Sequence, residues 1–322
     1  MSRIPTGALA IVGPTASGKS ALAMELARRF RAPNARTAVE LVSVDAMQVY
    51  RGMDIGTAKA TPAERAEVPH HMLDLLDPDE EGSVSWFQSV ARECLDDLSE
   101  RGVLPILVGG TGLYHRAVID GLEIPPRFPE VAASLESEAD TAGLHQRLSE
   151  LDPVAAARTT PSNRRRIVRA LEVTIGGNRP FSSYGAGLEH YSDVDTALVG
   201  LRVERTDLAE RISQRWSAQM REGLLEEVRT LDHRPEGWSV TAAAAIGYKH
   251  LLAHLHDDRP LAECEAAAQL ATRRFAARQD RWFRRDPRIT WFDAPDSDDD
   301  SALMHLADAV AEQWQEELLR RP

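Results

Sequence analysis

The chain has 322 residues, 43% apolar and 27% charged, a globular balance that excludes a collagen-like, rod-like or wholly disordered protein. Its net charge of −12, from 38 basic and 50 acidic residues, argues against a generic nucleic-acid binder. Two cysteines, Cys94 and Cys264, exclude a disulfide scaffold or a CxxC zinc site, and no apolar run reaches the ~20 residues of a membrane helix.

In chain order, Met1 to Gly7 has no signal-peptide architecture, so a cytoplasmic protein is expected. Ala8 to Val12 is an apolar run the length of a buried parallel strand. After Gly13-Pro14-Thr15-Ala16-Ser17-Gly18-Lys19-Ser20, Leu22, Leu26 and Phe30 recur at helical spacing. Val39 to Val44 reads as a second strand ending at Asp45. Ser85 to Leu98 places Phe87, Val90, Ala91, Cys94 and Leu98 on one helix face, and Leu104 to Val108 is a strand ending at Gly109-Gly110. Such alternation implies an α/β fold, a parallel sheet flanked by helices. It stops near Pro125-Pro126. Residues 125–195 are expected to form an all-helical insertion, in which Ser162 or Asn163 caps a helix bearing Ile167, Leu171 and Ile175 that ends at Gly176-Gly177. Ala197 to Val203 is expected to return to the sheet, which makes 1–124 and 196–322 one core. Long helices are expected over Asp207 to Leu231, Leu261 to Arg284 and Ser301 to Arg320, the last with Leu303, Leu306, Val310, Trp314 and Leu318 on one stripe. Asp296 to Asp300 reads as a solvated loop.

The Gly13 to Ser20 octapeptide fits G-x-x-x-x-G-K-[ST] between a strand and a helix, which specifies a P-loop NTPase-like core. Backbone N–H groups at a helix N-terminus cradle phosphate oxygens, Lys19 adds a point charge, and the Ser20 hydroxyl can ligate Mg²⁺. The motif says di- or triphosphate without saying which. Asp45, at a strand end, has three readings that the residues leave open: a Mg²⁺ carboxylate, a general base, or a helix N-cap. Gly109-Gly110-Thr111-Gly112 should face the cleft at the carboxyl end of its strand, with a plain structural turn as the rival. His70-His71 reads as packing or hydrogen bonding, because adjacent residues do not share a helix face and no carboxylate completes a metal site.

Two stretches are basic on this acidic body. Fields fade beyond a Debye length of ~8–10 Å, so a local stripe can still bind a polyanion. Arg164, Arg165, Arg166 and Arg169 share one helix, where Arg165 and Arg169 could contact adjacent phosphates or simply form a solvated face. Arg273 to Arg288 holds seven Arg against two Asp, interleaved with aromatics in a pattern that suits unpaired RNA. Phe275 and Trp282 could equally be the buried stripe of that helix. Only three basic residues are lysine: Lys19, Lys59 and Lys249.

Together these segments resemble the tRNA dimethylallyltransferase (isopentenyltransferase) family over almost the whole chain. The resemblance runs through the octapeptide, Ser43 to Tyr50 (SVDAMQVY), Asp54 to Lys59 (DIGTAK), Val68 to His71, Val108 to Tyr114 (VGGTGLY), Arg166 to Glu172 (RIVRALE), Ala245 to Lys249 (AIGYK), and Arg278-Gln279 with Trp282-Phe283. It implies transfer of the dimethylallyl group of dimethylallyl diphosphate to N6 of the adenine 3′ of the anticodon, in tRNAs reading codons that begin with U. It assigns Asp45 as general base, Thr111 to aligning base and diphosphate, and Mg²⁺ on Ser20 as cofactor. The implied tRNA contacts are Asp45, Ala46, Met47, Gln48, Arg165, Arg166, Arg169, Gly247, Tyr248, Arg278, Gln279, Arg281, Trp282 and Arg285. Arg211 and Arg215 match family arginines expected near the diphosphate, and a monomer is expected. Three departures bear on tRNA contacts: Ala46 where the family has serine, His250 where glutamate or glutamine is usual, and Ala277 where lysine is common. Rival readings are a prenyltransferase of free AMP or ADP, which would leave the basic helices unused, a P-loop metabolite kinase, and a non-catalytic RNA-binding module.

Overall fold

The computed structural model describes residues 7–30, 38–185, 187–296 and 299–319. The leader reading at Met1 to Thr6, part of the Asp296 to Asp300 loop, and Arg320 fall outside them. The described chain divides into two units, Met1–Asp120 with Asp193–Pro322, and Gly121–Ser192. The boundaries therefore sit at 120 and 193 rather than at 125 and 195.

Six strands among the described residues of the first unit form one parallel sheet: β1 (Ala8–Val12), β2 (Val39–Ser43), β3 (His70–His71), β4 (Leu104–Val108), β5 (Thr196–Arg202) and β6 (Thr290–Asp293). Their order across the sheet is β3-β2-β4-β1-β5-β6, with Leu9 of β1 registered against Ile106 on one side and Ala197 on the other. β1 is an unbroken apolar run because both its faces are covered, and β2, β4 and β5 are largely apolar and buried along most of their length. In β1, Ala8, Ala10 and Val12 join one core with Val42, Leu107 and Phe87, while Leu9 and Ile11 join the other with Leu22, Leu26, Val310 and Trp314. The unforeseen strands are the two edges. β3 is too short to show a period, and β6 is only half-buried.

The helices of this unit are α1 (Lys19–Phe30), α2 (Pro62–Glu67), α3 (Val84–Glu100) and α4 (Gly112–Ile119) before the second unit begins. In the second unit α5 (Pro129–Ser137), α6 (Thr141–Leu151), α7 (Pro153–Ala157) and α8 (Arg164–Gly176) close around Leu135, Leu144, Leu148, Ile167 and Leu171. Asn163, not Ser162, caps α8, its side chain accepting from the Arg166 N–H. This unit is not helical throughout, since 121–128 carry neither helix nor strand. Beyond it come α9 (Arg205–Glu222), α10 (Leu224–Asp232), α11 (Val240–Ala243), α12 (Tyr248–His256), α13 (Leu261–Phe283) and α14 (Asp300–Leu319). The single helix expected over Asp207 to Leu231 is broken at Gly223, whose φ of 103° is the left-handed conformation that ends a helix. On α14 the expected stripe packs through Leu306, Val310 and Trp314, with Leu303 and Leu318 only partly buried. No described helix is long and apolar enough to cross a membrane.

Candidate active site

The carboxyl ends of β1, β2 and β4 each carry one of the motif loops. After β1, φ is positive at Gly13, Ala16 and Gly18, the alternating handedness that turns successive N–H groups into an anion-binding nest at the start of α1. Lys19 Nζ donates to the Pro14 carbonyl and lies 3.5 Å from Ser17 Oγ, so the ammonium lies along the inside of the loop. Burial and the nearby Arg215 charge push Lys19 down to about 7, with the Asp45 carboxylate acting the other way. Arg215, on α9, reaches Thr15 Oγ1 at 3.4 Å. Burial lowers its pKa and Asp45 opposes that shift. Arg211, one turn earlier, points to other partners: it donates to the Pro295 carbonyl at 2.7 Å and pairs with Asp296 at 3.5 Å. Only Arg215 of the expected pair is tied to the phosphate loop. Ser20 is exposed at the first turn of α1, and its hydroxyl makes no hydrogen bond among the described residues.

No helix follows Asp45 before α2, so it closes a turn rather than capping a helix. Its Oδ1 accepts from the Met47 N–H at 2.8 Å and the Gln48 N–H at 3.4 Å, which closes the turn after β2. Its Oδ2 makes no hydrogen bond among the described residues and stays available as an acceptor. The turn is braced from behind: Gln48 accepts from Ser43 Oγ and donates to the Thr57 and Ala58 carbonyls. Lys59, its ammonium fully buried, donates to Tyr50 O, Asp54 and Asp74. Gln48 is thus a strut, while Ala46 and Met47 remain half-buried on the turn.

The loop after β4 is shaped by what presses on it. A Cβ at Gly110 would collide with the Gln279 amide, and one at Gly112 with the Trp282 indole. Thr111 starts α4, yet its side chain makes no capping bond, which leaves the hydroxyl free for other work. Behind the loop, His115 is 2% exposed and edge-on to Phe283. Burial pushes its imidazole down to about 3, so it is neutral at any working pH.

Several expected nucleic-acid contacts turn inward. Gln279 is buried, accepting from the Thr15 N–H at 2.9 Å and donating to Gly110 O at 2.8 Å, so it joins two loops and presents nothing to solvent. Tyr248 is wholly buried. Its hydroxyl donates to Glu227, and burial together with that carboxylate raises the phenol far above its ordinary range. Gly247 is buried at the start of α12. Trp282 is half-buried against Gly112. Arg169 is held by Glu172 at 2.8 Å and by the Pro125 carbonyl at 2.7 Å. The side chains left exposed, with no hydrogen bond or ion pair among the described residues, are Arg165 and Arg166 on α8 and Arg278, Arg281 and Arg285 along and just beyond the end of α13. Arg278 lies over Phe275 on the same helix. Arg274, Arg278, Arg281 and Arg285 follow helical spacing along one exposed face, and Arg274 extends the expected set. Glu227 also escaped the sequence reading. It accepts from the backbone N–H groups of Asp54, Ile55 and Gly56 at 3.0, 2.7 and 3.2 Å, but sits over 170 residues away, so no local pattern announces it. His71, finally, pairs with Glu40 at 2.6 Å.

Comparison with known proteins decides the family. The IPP transferase family model matches residues 48–286. A tRNA dimethylallyltransferase of Streptomyces coelicolor is 48% identical over 286 residues, 88% of this chain and 89% of the relative, and one of Kineococcus radiotolerans is 47% identical over 295 residues, 90% and 92%. This chain belongs to the IPP transferase family, the tRNA dimethylallyltransferases. Solved members share the fold. The tRNA isopentenylpyrophosphate transferase of Bacillus halodurans superposes with a TM-score of 0.68 at 37% identity, covering 98% of both chains. A eukaryotic dimethylallyltransferase, described as acting on tRNA, gives 0.77 at 25% identity over 98% of this chain and 80% of that one.

Proposed function

We propose that this family member moves the dimethylallyl group from dimethylallyl diphosphate to N6 of the adenine 3′ of the anticodon, in tRNAs reading codons that begin with U. The single observation that carries the mechanism is Asp45: one oxygen anchors the turn, and the other stands unpartnered beside the cationic Lys19 and Arg215. An exocyclic adenine amine is a weak nucleophile because its lone pair is delocalised into the ring. As the N6–C1 bond forms and the C1–O bond to diphosphate breaks, Asp45 takes the departing N6 proton, worth ~10²–10⁴ in rate. The loop amides, Lys19 and Arg215 receive the charge that grows on the leaving diphosphate, and the uncommitted Thr111 hydroxyl orients the two substrates.

Magnesium fits the donor set. The Ser20 hydroxyl is exposed and unpartnered, and no group of three His, Cys, Asp or Glu among the described residues offers a protein cage, which suits an ion that takes its other ligands from substrate phosphates. Bound there, it would supply further charge neutralisation at the leaving group. The adenine must leave its stack to reach Asp45, and the exposed arginines along α13 would hold RNA by its phosphates, while Arg165 and Arg166 give the second unit its own unpaired cations for the same kind of contact. The same reading takes the enzyme as cytoplasmic and monomeric. Incubation with labelled dimethylallyl diphosphate, Mg²⁺ and either tRNA or AMP tests the assignment. Label is expected in tRNA; label in AMP but not in tRNA overturns it.

A further inference from the structure

Helix α13 has two working faces. The outer one bears Arg274, Arg278 and Arg281, with Arg285 in the turn just after it. The inner one bears Gln279, only 6% exposed, whose amide spans from the phosphate loop to the loop carrying Thr111. The orientation of that amide follows from its partners: Thr15 offers only a backbone N–H and Gly110 only a carbonyl, so Oε1 faces the first and Nε2 the second. Gly110 lacks a Cβ where the amide sits, and three residues on, the Trp282 indole occupies the corresponding space over Gly112. One helix therefore joins the phosphate loop to the loop carrying Thr111, and neighbouring turns of the same helix present exposed arginines on its outer face.

We propose that Gln279 is a positioning residue through which RNA engagement on α13 and diphosphate binding at Gly13 to Ser20 favour one another. The inference rests on the reading of this chain as a tRNA-modifying enzyme, and it adds that the two substrates bind with positive coupling through this side chain. The physical basis is shared ordering. RNA phosphates that fix the outer face of α13 also fix the amide, which then holds Thr15 and Gly110 in place, and a diphosphate arriving at a loop already held loses less freedom on binding. Coupling of this kind is reciprocal in the two affinities. Other neighbours of the two loops are poorer candidates for the role. Arg215 reaches Thr15 from α9, which carries none of the exposed arginine stripe, and His115 lies beside Gly109 on α4, which carries none of it either and does not reach the phosphate loop.

The test measures binding of inorganic pyrophosphate with Mg²⁺, by calorimetry, to the full chain with and without a saturating anticodon stem-loop RNA. Two variants are compared with the parent. Gln279→Met keeps the volume and loses both bonds. Gln279→Glu keeps an acceptor for the Thr15 N–H but sets an oxygen against the Gly110 carbonyl. The parent is expected to bind pyrophosphate about fivefold or more tighter with RNA present, the lower end of ordinary coupling. In either variant that ratio should fall to about one, and pyrophosphate should also bind more weakly without RNA, most of all in Gln279→Glu, which adds a negative charge beside the cradle. Steady-state kinetics supply a readout that a merely structural role would not move: the donor KM should rise at saturating RNA, and should cease to depend on RNA concentration. A parent showing no coupling, or a folded variant that keeps it, overturns the proposal. Should Gln279→Met unfold by circular dichroism, Gln279→Glu decides alone, and if both unfold the parent ratio and its RNA-dependent donor KM decide. A parent that binds no RNA at all would instead bring down the substrate assignment on which the proposal rests.

Discussion

Replacing Asp45 by asparagine separates the two roles that one carboxylate combines. Oδ1 accepts from the Met47 and Gln48 N–H groups, and an asparagine carbonyl can do the same, so the turn after β2 should keep its shape. What disappears is the basicity of Oδ2 and the negative charge that supports Lys19 and Arg215. Loss of a general base costs ~10²–10⁴ in rate, or about 2.7–5.5 kcal/mol of transition-state stabilisation at 1.36 kcal/mol per decade. The lost charge acts in the opposite direction on donor binding, because an anionic diphosphate no longer meets a carboxylate near the cradle. Lys19, however, also loses the carboxylate that holds its pKa up, so the two effects oppose and binding of dimethylallyl diphosphate should change little while turnover collapses. Single-turnover transfer of labelled donor to tRNA, with protein in excess, isolates the chemical step from product release. A folded Asp45→Asn protein with a transfer rate within about fivefold of the parent would refute the reasoning and remove Asp45 from proton transfer.

Three further outcomes follow from the same geometry. Lys19 sits at about 7, so its ammonium is mostly present at pH 6 and mostly lost at pH 9: donor affinity should fall as pH rises through neutrality, by up to about tenfold per unit, and Lys19→Arg should flatten the profile because guanidinium stays charged. A flat parent profile in direct binding would contradict it. Glu227→Gln places an amide NH₂ against N–H groups of Asp54 to Gly56 and should destabilise the protein by about 2–3 kcal/mol in urea unfolding; a stability equal to the parent would show that the carboxylate is not what holds this loop. Arg281→Ala removes an exposed, unpaired cation, so stability should hold within ~0.5 kcal/mol while the slope of log affinity for RNA against log salt drops by about 1; an unchanged slope takes Arg281 out of the interface.

What was legible in the sequence had to lie close together along the chain. The phosphate loop is eight consecutive residues between a buried run and an amphipathic helix, so backbone handedness, charge and flanking elements could all be read at once. Asp45 was legible as a strand-end carboxylate, but its bonds to the Met47 and Gln48 N–H groups and its place near Lys19 and Arg215 were not. The pairings that set the site are long-range: Gln279 meets Thr15 across 264 positions and Gly110 across 169, and Glu227 meets Asp54 across 173. Nothing local distinguishes a glutamine that joins two loops from one that contacts RNA, which is why Gln279 and Tyr248 were expected at the surface and are found inside.

The arginines make the same point about charge. With three lysines among 38 basic residues, composition gives no way to sort guanidinium groups, and the net charge of −12 speaks against RNA. The structure sorts them by whether an acid answers them. Arg28 meets Glu67, Arg101 meets Glu40 and Asp97, and Arg116 and Arg288 share Asp120 in a largely buried cluster with Asp286. Those cations are neutralised where they stand and attract no distant phosphate. Arg165, Arg166, Arg281 and Arg285 have no such answer among the described residues, and each stands exposed. An acidic protein can thus bind RNA because its field is local: charges beyond a screening length of ~8–10 Å are largely damped, and a phosphate approaching α13 meets cations with no ion pair among the described residues.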